Sequence, residues 1–260
     1  MNGEGKEMGI SDLRAVFWRS FLIRASWSFD RMQSLGFAYA IQPVLKKLYP
    51  NRAEYESRLK FHMEYFNTQP YFASFILGAV ARLEQERASS QDKSADVSGI
   101  KTALMAPLGA LGDSFFWGAL KPLSAIVAIA LLLADAWWAP FVFLVLYNIV
   151  HIGFRAALLI NGYKSAGDAV ALKARYNFTK MAKLFKAISL FVLGGILGSL
   201  PIWRPEFRLT APFPGIVTAG IGFSLTLILV AFLRRGGSPV KLMLGLAALC
   251  LALAYGGVIG

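Results

Sequence analysis

Four stretches of the chain contain no Lys, Arg, Asp or Glu: residues 136–154, 187–203, 209–233 and 242–260. A helix rising 1.5 Å per residue needs about 17–25 mainly apolar residues to cross a bilayer, and all four stretches reach that length. A fifth, 122–134, reaches it when extended back to Phe116, with Lys121 snorkelling to the headgroups. Four such windows buried in a soluble core would need a polar shell. This chain is 56% hydrophobic and only 16% charged, against about 25% in an average soluble domain. The expected class is an all-α membrane protein with about five transmembrane helices, preceded by an N-terminal amphipathic and re-entrant helical region.

The charges set an orientation. Residues 1–121 carry a net +3 and residues 122–260 a net +9. The second half concentrates its cations in 155–186, with Arg155, Lys164, Lys173, Arg175, Lys180, Lys183 and Lys186, and in Arg234, Arg235 and Lys241. Both basic segments are expected in the cytoplasm. Residues 204–212 then lie outside, Asp135-Ala136 makes an outer turn, and five crossings leave the N-terminus inside and the C-terminus outside. With so apolar a chain, the net charge of +12 points to a membrane surface and away from nucleic acid. Cys250 is the only cysteine, and His62 and His151 are the only histidines. No intrachain disulfide or cysteine metal cluster is possible, and no metal or other cofactor is expected.

The first hundred residues read as amphipathic helices at the cytoplasmic face or interface. Met1–Gly9 is polar and does not resemble a signal peptide. Ser11 or Asp12 can cap a helix running through Val16, Phe21 and Ala25. Arg14, Arg19, Arg24 and Arg31 alternate with Trp18, Trp27 and Phe29, a pattern suited either to the headgroup boundary or to packing on other helices. Pro43 is expected to break or restart a helix. Further helices are expected over Glu54–Phe66 and Phe72–Arg87, and Ala88–Gly99 reads as a small, polar loop. A Gly/Pro-interrupted, re-entrant segment over 101–121 and a transmembrane bundle over 116–260 complete the layout.

Catalytic motifs are missing: there is no phosphate-binding glycine loop after a strand and no serine nucleophile elbow. Three features remain. Phe66-Asn67-Thr68-Gln69-Pro70 places two amides and a hydroxyl at a helix end, where they can bind sugar hydroxyls or simply stop and cap a helix. Met105-Ala106-Pro107-Leu108-Gly109-Ala110-Leu111-Gly112-Asp113 is small, apolar and irregular. At membrane depth such backbone is tolerated only inside protein or beside a water-filled cavity. Asp113 is either an intramembrane functional acid or the N-cap of a helix beginning near Phe115. His62 with Glu64 offers a titratable pair, or a structural histidine in an amphipathic helix.

These segments resemble the IID subunit of the mannose/fructose/sorbose family of the bacterial sugar phosphotransferase system (PTS). The matching residues are Ser26-Trp27, Arg31-Met32-Gln33 and Gly36-Phe37; Pro43 with Leu48-Tyr49-Pro50; His62, Glu64 and the Phe66–Pro70 block; Ile76-Leu77-Gly78; Leu83-Glu84; Lys101, Met105, Pro107-Leu108 and Gly112-Asp113; Phe116-Trp117; and Asn148 with Gly162-Tyr163. They follow the family's order and spacing along nearly the whole chain. Departures are Ala106 where the family commonly has Gly, Ser114 where it often has Pro, Lys121 in place of Arg, and His151 where an arginine is expected. The region between Arg204 and Pro214 is also shorter than in many members.

The resemblance implies a multi-pass subunit of the bacterial inner membrane that forms a sugar channel with a IIC subunit, in an assembly of several IIC–IID pairs. Cytoplasmic IIA and IIB proteins would carry the phosphoryl group, and IIB would pass it to the arriving hexose-type sugar. The chain itself would hold no phosphohistidine and act as a non-catalytic permease component. Asn67, Gln69, Trp27 and Asp113 are the candidate substrate-binding residues. Competing readings are a membrane scaffold or regulatory subunit diverged from transport, and a lipid enzyme using Asp113 or His62.

Overall fold

A computed structural model describes residues 8–89, 96–166, 168, 177–203 and 215–256. The chain divides into two compact units, Met1–Lys186 and Ala187–Gly260. The described residues form helices joined by turns, with only two isolated β-bridges, Ser28 with Met32 and Met32 with Phe66.

In the first unit, α1 (Ile10–Ser20) starts after Gly9, whose N–H donates to Asp12 Oδ2 at 2.8 Å. Asp12 therefore reaches back from the first turn instead of standing at the cap. The helix ends at Ser20, short of the expected Ala25, because the chain turns to lay the Ile23 carbonyl against Gly36. A side chain at position 36 would collide with that carbonyl. Next comes α2 (Ser34–Leu48), which runs unbroken through Pro43, contrary to the break expected there. Proline removes the N–H that would bond the carbonyl four residues back, that of Tyr39. Arg19 Nη1 donates to the Tyr39 carbonyl at 3.2 Å instead, and Ile41, Val44 and Leu45 are wholly buried around the proline.

The third helix, α3 (Arg52–His62), is capped by Asn51 Oδ1, which accepts from the N–H groups of Ala53 and Glu54 at 2.9 and 3.3 Å. At the centre of the unit is α4 (Ala73–Ser89); every residue from Ala73 to Ala81 is buried. Around it pack α1, α2, α5 (Val97–Gly112) and α7 (Ala139–Ser165). Two glycines permit the α4–α7 crossing: a Cβ on Gly78 would strike the Leu159 carbonyl, and one on Gly162 the Phe75 carbonyl.

The expected interruption over 101–121 takes another form. The backbone stays helical from Val97 to Leu133, through Pro107, and the irregularity is a π-helical stretch, Asp113–Leu120, leading into α6 (Lys121–Leu133). Buried Val97, Leu104, Leu108 and Gly112 hold the first half in the core. At 37 residues the whole helix is about 55 Å long, well beyond a hydrocarbon core of about 30 Å. Lys121 is exposed, its ammonium 5.8 Å from the Trp117 ring centroid.

A turn with Asp135 at φ 58° leads into α7, which continues to Ser165 and closes on Ala166 at φ 48°. Arg155 and Lys164, expected in a loop, are therefore helical. Lys180, Lys183 and Lys186 are helical too, in α8 (Phe178–Trp203), which enters the second unit. The remainder of that basic segment, 167 and 169–176, and the expected external stretch 204–212 lie outside the described residues.

The second unit adds α9 (Gly215–Arg234) and α10 (Pro239–Tyr255), joined through Gly236 at φ 84°. Leu190, Phe191, Phe223, Ile228, Met243 and Leu251 are exposed, and the space around Gly194, Gly195 and Gly220 is open. The helices α6 to α10 fall on the five apolar windows. By length and hydropathy, Val97–Leu133 and Ala139–Ser165 are long and apolar enough to cross a membrane.

Candidate functional site

The segment between α3 and α4 brings the two expected blocks together. After His62 the chain leaves the helix, and Phe66 buries its ring against Phe37 at 4.4 Å between centroids. Asn67 and Thr68 then lie along α5. The Asn67 N–H points to Met105 Sδ at 3.3 Å, Thr68 Oγ1 donates to the Met105 carbonyl at 2.9 Å, and a Cβ on Gly109 would stand 3.6 Å from Thr68 Oγ1. Gly112 admits Gln69: a Cβ there would meet Gln69 Cβ at 2.6 Å and Phe72 Cδ2 at 2.7 Å. The small residues of the second block are thus the bed on which the first one lies.

Gln69 caps α4. Its Oε1 accepts from the N–H groups of Tyr71 and Phe72 at 2.7 and 3.1 Å, and its carbonyl accepts from Ala73 at 3.0 Å. The helix-cap alternative therefore holds for Gln69, whose Nε2 is buried without a partner. Asn67 is exposed, and its Oδ1 accepts from Gln33 Nε2 at 3.3 Å. Gln33 Nε2 also donates to the Thr68 carbonyl at 2.7 Å, while Gln33 Oε1 is buried and unpartnered. Backbone pairing fixes this arrangement: the Gln33 N–H donates to the Phe66 carbonyl at 2.8 Å, next to Met32 at φ 53°.

Trp27 and Asp113 stand differently. Trp27 is 43% exposed and packs edge-on against Phe29 at 4.9 Å between ring centroids. Asp113 is exposed within the π-helical stretch and follows Gly112 without a helix start, so it is not an N-cap. Stretches of π-helix inside α-helices are frequent at functional sites, and this one begins where Gln69 touches α5.

Behind Phe66 lies an ionic cluster. Glu84 of α4 accepts from Tyr49 Oη at 2.7 Å, from Arg58 and from His62 Nε2 at 3.0 Å. Burial alone would raise its carboxyl, but the hydrogen bonds and charges of His62 and Arg58 prevail and hold it at about 2. Burial lowers His62 below its ordinary value, against the raising effect of Glu84. Burial, with Glu84 beside it, raises the Tyr49 phenol. His62 is wholly buried and pairs with Glu84 of α4, while Glu64 is exposed. Lys101 of α5 lies over the rings of Phe37 and Phe66 at 4.7 and 5.6 Å and tethers the same segment.

A second polar group runs along α7 at four-residue spacing: Tyr147, His151 and Arg155. Tyr147 Oη and Tyr71 Oη are 2.9 Å apart, and the His151 ring lies 4.6 Å from that of Tyr71. Arg155 donates to Ser20 Oγ at 3.0 Å, between the rings of Phe21 and Tyr71 at 4.4 and 5.3 Å. Pattern reading missed this group and the role of Gln33. A polar residue every fourth position in an apolar window was the available signal for Tyr147, His151 and Arg155.

The family model for the PTS mannose/fructose/sorbose family IID component matches residues 8–259. The chain belongs to this IID family. Its relatives include the mannose-specific EIID component of Escherichia coli K12, 34% identical over 74% of this chain and 69% of that protein. The sorbose-specific EIID component of Klebsiella pneumoniae is 30% identical over 95% and 96%. The fructose permease IID component of Bacillus subtilis is 28% identical over 93% and 94%. Among solved structures, a chain of a mannose transporter ManYZ complex with microcin E492 aligns at TM-score 0.59 and 28% identity, covering 98% of this chain and 99% of that one. Another, described as a membrane protein, aligns at TM-score 0.74 and 27% identity over the same shares.

For a IID component the site has a consistent chemistry. Around the Asn67–Gln69 segment the available groups are amides, a hydroxyl and one exposed carboxylate. Among the described residues there is no group of three His, Cys, Asp or Glu that could hold a metal ion.

Proposed function

We propose that this IID chain is a non-catalytic, multi-pass subunit of the bacterial inner membrane. With a IIC subunit it forms the translocation path for a hexose-type sugar, which IIB phosphorylates during uptake. Asn67 and Gln69 line or support that path, and Asp113 holds the end of α5 against it. The observation that carries this reading is the seating of Phe66–Pro70 on Met105–Gly112 by a hydroxyl bond, a sulfur contact and two glycine approaches. Neutral amides recognise hydroxyls without bringing charge into a dry path. The exposed apolar faces of α6 to α10 supply surface for lipid and for IIC, and several IIC–IID pairs make up the assembly.

The test is co-expression with a IIC subunit of the same family, purification of the pair, and measurement of mannose, fructose and sorbose binding. IIB-dependent phosphorylation follows in vesicles. Co-purification with saturable binding of one sugar supports the reading. A pair that forms but neither binds nor passes any of these sugars favours a diverged scaffold.

A further inference from the structure

We propose that Arg24, Lys121 and Lys186, gathered around Trp117 and Gly118, bind the phosphate of an anionic phospholipid headgroup. The site requires a membrane around the chain and is independent of the sugar path. Arg24 Cζ and Lys121 Nζ each lie 5.8 Å from the centroid of the same Trp117 ring. Lys186 reaches the next residue: its Cε and Nζ are 3.5 Å from where a Cβ on Gly118 would stand. All three cations are exposed, and among the described residues none of them forms an ion pair. Asp113, exposed four residues before Trp117, joins none of them. Local structure fixes each cation. From Phe115 to Leu120 the π-helical stretch buries Phe115, Phe116, Ala119 and Leu120 and leaves Trp117 and Gly118 facing outward. Arg24 follows Ile23, which is buried with its carbonyl against Gly36. Lys186 follows Phe185, whose ring packs on Phe115 at 5.7 Å between centroids. Like charges brought together by three separate segments repel one another, so an anion from outside the chain stabilises the arrangement.

The surroundings identify that anion as a lipid. Lys121 and Lys186 stand immediately before the charge-free stretches 122–134 and 187–203. A tryptophan beside cations suits the headgroup boundary, where an indole keeps one side apolar and its N–H wet. From Lys121 the same helix face continues through Ala125 to exposed Ile129 and Leu132. That is about 16 Å of apolar surface, close to half of a hydrocarbon core of about 30 Å, so acyl chains can lie along it. Exposed Trp18 and Leu22 add apolar surface in the segment leading to Arg24. In the orientation expected from the basic segments, Lys121 and Lys186 belong to the cytoplasmic leaflet, whose anionic lipids attract cations. A guanidinium and two ammoniums donate to phosphate oxygens and match a headgroup of net negative charge, whereas a choline headgroup brings a cation of its own.

The full chain, purified with a IIC subunit of the same family, is titrated with phosphatidylglycerol and with phosphatidylcholine, and bound lipid is counted by native mass spectrometry. Wild type is compared with Arg24→Gln/Lys121→Gln/Lys186→Gln and with each single variant. A control, Arg14→Gln/Lys60→Gln/Lys180→Gln, removes the same charge from exposed positions elsewhere. Wild type should bind phosphatidylglycerol saturably and in preference to phosphatidylcholine. Each single variant should weaken that binding about 5-fold and the site triple about 100-fold, with the control within about twofold of wild type. Without added lipid, the unfolding temperature of the variants should be unchanged or higher. The rise that phosphatidylglycerol produces in wild type should vanish from the site triple. Equal binding of the two lipids overturns the proposal, as does wild-type binding of phosphatidylglycerol by the site triple. An equal loss from the control also overturns it, because the effect is then one of net charge. Displacement of the lipid by millimolar inorganic phosphate assigns the cations to a soluble anion. Loss of IIC from the site triple assigns them to an acidic contact with that subunit. Either result overturns the lipid site.

Discussion

Gly78 of α4 and Gly162 of α7 occupy reciprocal positions in one helix crossing: each lies against a backbone carbonyl of the opposite helix, that of Leu159 for Gly78 and of Phe75 for Gly162. Backbone cannot swing aside as a flexible side chain can. Either Gly→Ala substitution must push the helices apart along the contact that organises the first unit. Overpacking of this kind destabilises by about 1–3 kcal/mol, occasionally more. Gly78→Ala and Gly162→Ala should each lower the unfolding temperature in detergent, and the double variant should lose less than the sum, because the first methyl already separates the helices. Gly153→Ala on the same helix meets nothing within 4 Å and should behave as wild type.

Glu84 is the anion of a cluster drawn from three segments: Tyr49 after α2, Arg58 and His62 on α3, and α4 itself. Its carboxyl is held at about 2, below the ordinary 4.5. A depressed folded-state value gives stability that is fully present above the unfolded value and is lost as pH falls towards the folded one. The unfolding temperature of wild type should therefore drop between about pH 5 and pH 2. Glu84→Gln leaves Arg58 without its partner and should destabilise by about 3–5 kcal/mol at pH 7, while flattening that acid dependence. Thermal scans of both proteins across this pH range are the measurement.

The sequence made the helices legible because charge-free length and amphipathic spacing are local signals. It did not make Pro43 or Pro107 legible as helix interior. What rescues the α2 proline is Arg19, a residue 24 positions away that bonds the carbonyl the proline leaves without a donor. The Phe66–Pro70 block was recognisable as a helix end, but two features depended on chain packing. One is that Gln69 is spent on capping while Asn67 stays exposed. The other is that His62 turns to Glu84 and away from Glu64. The polar stripe of α7 was readable in principle, since Tyr147, His151 and Arg155 recur every fourth residue along it.

Arg155 is buried in α7 with its Nε unpartnered, and its described contacts are a serine hydroxyl and two aromatic faces. A buried cation so placed carries its desolvation penalty with little Coulombic return. Arg155→Met retains the packing volume and removes the charge, so it should leave stability near wild type or above it. Arg155→Ala also removes the packing between Phe21 and Tyr71 and should cost about 2–4 kcal/mol. If Met and Ala destabilise equally, the charge and not the packing holds the end of α1 to α7. Limited proteolysis of the N-terminal helix reads out that docking directly.

The proposed orientation places Lys164, near the C-terminal end of α7, and Arg235, between α9 and α10, on the cytoplasmic side. Cys250 is exposed and must first be replaced, so Cys250→Ser is the parent for labelling. Lys164→Cys and Arg235→Cys should then react with a membrane-impermeant maleimide only after cells are opened. Labelling of Lys164→Cys in intact cells would invert the topology.

Asn67 and Thr68 are neighbours with opposite expected phenotypes. Thr68 is buried, and its hydroxyl fastens the segment to the Met105 carbonyl at 2.9 Å. Thr68→Val keeps the shape and removes that bond, so about 1 kcal/mol of stability should be lost. Transport should fall only as far as the segment loosens. Asn67 is exposed, and its side-chain bond to Gln33 is long, at 3.3 Å. Asn67→Ala should therefore change stability by no more than about 0.5 kcal/mol. If the Asn67 amide faces the sugar, its removal should weaken sugar affinity about 5- to 150-fold. Uptake assays at sub-saturating sugar, paired with unfolding temperatures of the purified IIC complex, separate the two. A stable Asn67→Ala variant with wild-type uptake would remove Asn67 from the path. If Asn67→Ala instead fails to assemble, the exposed amide belongs to the contact with IIC.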